Sequence, residues 1–128
     1  MTNILTLKRV LLADAVTCAV VFVLGVIDTA LVAPILGLPE AVVAIAGWIC
    51  LPVALLLALL ALQAQPSRLR LAAVVYGNWG WVAASLAVVA AFSAQMTGIG
   101  IAVTIAQALG VAVFAMLEGR GLRAPATA

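Results

Sequence analysis

Leu71-Ala72-Ala73-Val74-Val75-Tyr76-Gly77-Asn78-Trp79-Gly80-Trp81-Val82-Ala83-Ala84-Ser85-Leu86-Ala87-Val88-Val89-Ala90-Ala91-Phe92 contains no charged residue. As a helix rising about 1.5 Å per residue it is long enough to cross the ~30 Å hydrocarbon core of a bilayer. Its first half is unusual for a lipid-facing span, because Asn78 stands among Tyr76, Trp79 and Trp81 with Gly77 and Gly80 on either side. Counted from Arg70, Asn78 lies about 12 Å inside the membrane, too deep for these aromatics to form an interfacial belt.

Three further apolar runs, from about 10 to 32, 41 to 62 and 99 to 117, accompany this one at 71 to 92. The chain has 128 residues, of which 68% are hydrophobic and 8% charged, and its mean hydropathy is +1.38. Those values lie outside the usage of soluble domains. At roughly 20 residues per span, four spans and their turns use nearly all of residues 1–128. The expected fold is therefore all-α: a single transmembrane domain of four helices in an antiparallel bundle, with residues 120–128 a disordered tail after a glycine stop at Gly119.

The connections carry the orientation. Lys8 and Arg9 precede the first run, Arg68 and Arg70 separate the second from the third, and Arg120 and Arg123 follow the fourth, while the other two connections hold no basic residue. By the positive-inside rule both termini are cytoplasmic. The six cations sit at span ends rather than in one patch, so nucleic acid is not an expected partner. Lys8-Arg9 and the run after them imitate a signal peptide, but Asp14 interrupts the apolar stretch and its length exceeds a signal core, so the segment is expected to stay.

Prolines punctuate the rest. Pro34 and Pro39 bracket an uncharged connection, 33–40, expected to be a turn, and Glu40 complements the positive start of the second helix. Pro52 removes a backbone donor inside the second span and is expected to kink it near Trp48. Small residues mark places for close helix contact: Ala15, Ala19 and Gly25 in the first span, Gly77 and Gly80 in the third, and the stripe Ala102, Ala106, Gly110 in the fourth. That stripe fits a seam inside the bundle or between molecules.

Few residues can carry chemistry. Histidine is absent, which removes the usual ligand of haem and zinc and the only side chain that titrates unperturbed near neutrality. Cys18 and Cys50 form no Cys-x-x-Cys pair and are read as buried thiols. No Gly-x-Ser-x-Gly elbow or carboxylate cluster is evident, so no catalysis, cofactor or metal is expected. The remaining candidates are Asp14, Asn78 and Gln107, about 8, 12 and 16 Å deep from the cytoplasmic side and so close enough to meet as one polar cluster. Thr104, Gln107 and Glu118 share a polar stripe of the fourth helix. Intramembrane carboxylates face the bundle interior and are functional candidates by default. Against this stands the plainer reading that Asp14 reaches the interface near its helix start while Asn78 and Gln107 merely join helices.

Two resemblances follow from short motifs. Leu12-Ala13-Asp14, Ala33-Pro34 with Leu36-Gly37-Leu38-Pro39, Asn78-Trp79, Ala106-Gln107-Ala108, Phe114-Ala115 and Leu117-Glu118 together resemble a group of small bacterial inner-membrane proteins; the resemblance implies four helices and that membrane, and supplies no activity. Ala13-Asp14 is similar in kind to the first-helix carboxylate of the small multidrug transporters, whose protomers are oppositely oriented, whereas the charge bias of this chain favours one orientation. The expected function is that of a non-enzymatic accessory or packing subunit of the inner membrane, surrounded by lipid and joined to itself or to a larger complex. The alternative is a small transporter or proton-coupled carrier using Asp14.

Overall fold

The computed structural model describes residues 4–123. Helix α1 (Ile4–Phe22) runs into a single π-helical turn (Val23–Ile27), and α2 (Thr29–Leu36), α3 (Glu40–Leu62), α4 (Arg68–Phe92) and α5 (Gly98–Arg123) follow. Among the described residues, four helical segments are long and apolar enough to cross a membrane: Leu5–Ile27, Glu40–Leu62, Arg68–Phe92 and Gly98–Arg123. These are the helices of a multi-pass membrane protein.

The first segment departs from the expected single span over 10–32. It starts earlier, because Leu7, Leu11 and Ala15 recur at helical spacing and are all buried, so the inward face begins before Lys8-Arg9. It breaks at Asp28, whose φ of −106° and ψ of 25° are not helical. Thr29 caps carbonyls freed there, its hydroxyl donating to Gly25 O and, at 3.1 Å, to Val26 O.

The expected turn over 33–40 is also shorter. Pro34 lies inside α2, and the helix ends at Gly37 with φ of 72°, a left-handed conformation that costs a residue with a Cβ. The Gly37 N–H donates to Ala33 O (2.9 Å) and Leu38 N–H to the same carbonyl (3.1 Å), the closure typical of a glycine-terminated helix. Pro39 then caps α3 in extended conformation. Nor does α5 stop at Gly119: it continues to Arg123, and the rest of the expected tail, residues 124–128, lies outside the described residues. α3 remains one helix through Pro52.

Two helix pairs build the molecule, α1 on α3 and α4 on α5. The π-helical turn that extends α1 crosses α3 at Gly25 and Gly47, where a Cβ on Gly25 would stand 2.7 Å from Val43 O and 3.0 Å from Gly47 Cα. At the basic end the pairs share an apolar core of Leu7, Leu11, Leu57, Leu60, Leu71 and Val74, and Arg68 Nη2 donates to Leu122 O. At the other end Thr97 clamps them, its N–H donating to Leu36 O (3.1 Å) and its hydroxyl to Ile35 O (2.6 Å). Gly100 sits so close to Leu36 that any side chain would overlap the carbonyl of that residue.

Gly77, Gly80 and Gly110 behave differently: a Cβ on any of them would meet nothing within 4 Å, and Ala102 and Ala106 are exposed as well. The inward face of α5 is Gly100, Ala108, Val111, Ala115 and Glu118. The Ala102–Ala106–Gly110 stripe is offset from it by two residues, or about 200° around a helix. Among the described residues these small positions therefore seat no neighbouring helix.

Candidate functional site

Burying a polar group among aliphatic side chains is costly unless it is hydrogen-bonded, and burying a charge more so. Four polar residues are nevertheless almost wholly enclosed: Asp14 (1% exposed), Asn78 (6%), Ser85 (8%) and Glu118 (0%). The helical periodicity that points Leu11 and Ala15 inward carries Asp14 with them. The same holds for Asn78 beside Val74 and Val75 on α4, and for Glu118 beside Ala115 on α5.

Three of these groups converge. Asn78 Nδ2 donates to Asp14 Oδ2 at 2.8 Å and to Glu118 Oε1 at 2.7 Å. One amide nitrogen thus uses both of its hydrogens on carboxyl groups from two other helices, holding the two oxygens within about 5.5 Å of each other. The amide nitrogen faces both oxygens, an orientation that suits carboxyl oxygens acting as acceptors. Asp14 Oδ1 receives a long contact of 3.9 Å from Cys18 Sγ. Glu118 Oε2 is enclosed without a hydrogen-bond partner. Among the described residues no lysine or arginine bonds either carboxyl group.

Asp14 and Asn78 also line a chamber of about 190 Å³, together with the free thiols of Cys18 and Cys50 and with Trp81 and Gln107. Glu118 is not part of its wall. Asn78 is thus the link between a carboxyl group that faces the chamber and one sealed behind it.

Gln107, the third residue of the expected cluster, lines the same chamber but bonds elsewhere. Its Oε1 accepts from Trp81 Nε1 (2.8 Å), and its Nε2 donates to Ser85 Oγ (2.8 Å) and Thr104 O (2.9 Å). Ser85 Oγ in turn donates to Trp81 O at 2.8 Å. This network spans α4 and α5 and satisfies itself. Gln107 is eleven residues from Glu118, close to three turns and roughly 16 Å along α5, so the two share a face but not a depth.

Glu118 belongs to the cluster although it stands outside the trio expected from sequence. The Thr104, Gln107, Glu118 stripe carries the signal, but a glycine stop at Gly119 would put Glu118 at a helix end, whereas it lies more than a turn inside α5. Asp14 is enclosed rather than set at the interface. Among the described residues no three His, Cys, Asp or Glu side chains gather as metal ligands would. No protein-family model, curated protein or solved structure matches this chain.

Proposed function

We propose that this is a small proton-coupled carrier of the bacterial inner membrane, an antiparallel four-helix bundle with both termini cytoplasmic, and that Asp14 is its proton-binding group. The observation that carries the reading is the Asp14–Asn78–Glu118 set: two enclosed carboxyl groups joined through one amide, with no cation among the described residues bonded to either. Two adjacent carboxylates in apolar surroundings repel each other and are poorly solvated, so the set is neutral enough to be stable only when it holds a proton. Asp14 exchanges that proton with the chamber, while Asn78 donates a hydrogen bond to whichever carboxyl group is left charged. A subunit serving only to pack would gain more from apolar residues at these positions.

The test uses purified protein in vesicles loaded with a pH-sensitive dye, under an imposed pH gradient, against a panel of amines, weak acids and sugars. At least one compound should speed proton movement through the wild type and not through Asp14→Asn. If no compound does so while both proteins are folded in the vesicles, the carrier reading fails.

The accessory-subunit reading keeps one specific observation in its favour, the outward face of Ala102, Ala106 and Gly110. A face of small residues allows close approach of another helix in a bilayer. Self-association and carrier function are compatible.

A further inference from the structure

The two helix pairs separate on one side. Leu57, Leu60 and Ala61 of α3 share a buried cluster with Leu71 and Val74 of α4 at the basic end. Beyond that cluster α3 and α4 part, leaving a groove of about 460 Å³ whose walls include Val42, Ile45 and Ile49 on one side and Trp81, Ala84 and Val88 on the other. Ile45, Ile49 and Ala84 are exposed along it, so the groove opens sideways, toward lipid. Its polar wall atoms, on Trp81, Ser85, Thr104 and Gln107, already bond one another or backbone. A polar occupant would therefore gain little there, and an aliphatic one fits.

The groove has the length of one leaflet. It runs from Leu38 at the turn end to Ile49 at mid-span, eleven residues or about 16 Å, against about 15 Å for half of a ~30 Å hydrocarbon core. It ends against the Trp81–Gln107 pair. The end of the molecule on which it opens carries charge of one sign: among the described residues Asp28 and Glu40 lie toward the turn end, neither of them in the wall of the groove, whereas Lys8, Arg9, Arg68, Arg70, Arg120 and Arg123 all lie at the opposite end. An anionic head group is repelled at that end, and one with an ammonium group is attracted.

We infer that the groove is a specific site for one acyl chain of an amine-headed zwitterionic phospholipid, entering sideways between α3 and α4 with its ammonium group near Asp28 and Glu40. The groove shares Val21, Ile49, Trp81 and Gln107 with the chamber, but an acyl chain there requires no proton-coupled activity. Trp81 stands at the inner end and reports on it.

The experiment uses full-length protein with Trp48→Phe and Trp79→Phe, leaving Trp81 as the fluorophore, in vesicles of phosphatidylethanolamine and phosphatidylglycerol at one fixed ratio. Bromine is placed at the acyl terminus of either the first lipid or the second. Bromine on phosphatidylethanolamine should quench Trp81 more strongly than bromine on phosphatidylglycerol. Filling the groove with Ala84→Phe, or with Ala46→Phe if the first variant does not fold, should roughly halve the quenching and abolish the difference. Asp28→Asn with Glu40→Gln should abolish the difference while the quenching persists. Equal quenching by the two labelled lipids overturns the proposal. So does a preference that survives groove filling, or the same preference at Trp48 in a protein carrying Trp79→Phe and Trp81→Phe, which would mark lipid gathered around the whole molecule.

Discussion

Asn78 commits both hydrogens of one nitrogen to carboxyl groups on different helices, so its removal leaves two enclosed acids facing each other with nothing between them. Taking one partner from a buried ionic or charge-assisted set costs about 3–5 kcal/mol. Asn78→Ala should therefore lower stability by about 3 kcal/mol, as measured by unfolding in bicelles. Glu118→Gln should cost less than about 1 kcal/mol, because the amide keeps an acceptor for Asn78 and replaces the unpartnered oxygen with a donor that can reach Asp14. An Asn78→Ala protein as stable as the wild type, or a Glu118→Gln protein that is the worse of the two, would show that the three groups are not joined as described. The thiol of Cys18 adds little to the set, since its contact with Asp14 is 3.9 Å long and sulfur is a weak donor.

Helix–helix contact is where glycine carries most meaning, and glycines of similar appearance in sequence have opposite roles. A Cβ on Gly47 would lie 2.9 Å from Val26 and 3.1 Å from the Gly25 backbone, whereas one on Gly77 would meet open space. Gly47→Ala should therefore destabilise the protein by about 1–3 kcal/mol through overpacking. Gly77→Ala should be neutral or stabilising by up to about 1 kcal/mol through helix propensity. Bicelle unfolding of both variants decides it, and equal effects would mean that the Gly25–Gly47 crossing is not a tight one. The same pair shows how much of the fold was legible. Apolar run length gave four spans, because the bilayer fixes the length of a span regardless of its neighbours. Which face each span buries depends on its neighbours, so the aromatic, glycine-rich shoulder of α4 read as a packing surface although its glycines face outward. The termination at Gly37 was equally hidden, because Pro34 is the stronger sequence signal for a helix end, yet it is tolerated inside α2. Asp14 and Asn78 were legible as a pair from depth alone. Glu118 was not, because its burial depends on α5 continuing through Gly119 and Gly121, both weak helix formers, and Gly121 packs on Leu7 of α1.

At the scale of the molecule, the separation of all six basic residues from Asp28 and Glu40 makes orientation testable without disturbing the core. Ser93 and Gln65 are exposed at opposite ends. Ser93→Cys should react with a membrane-impermeant maleimide in intact cells, and Gln65→Cys only after lysis; equal labelling of both in intact cells would mean dual insertion and remove the single orientation. Assembly follows from the outer faces. A helix face of Ala102, Ala106 and Gly110 has no partner among the described residues, and in lipid such a face gains from meeting another helix through backbone proximity and van der Waals contact. A second copy supplies an identical face, and a two-fold pairing of the same patch closes without leaving a free edge. Gly110 is the most sensitive position for testing this, because a Cβ there would meet nothing within 4 Å inside the protomer yet would stand in the seam between protomers. The wild type should therefore run as a dimer in lipid nanodiscs counted by single-molecule photobleaching, and Gly110→Leu as a monomer with unchanged helix content. A wild type that is already monomeric, or a Gly110→Leu protein that remains dimeric, would show that this face meets only lipid.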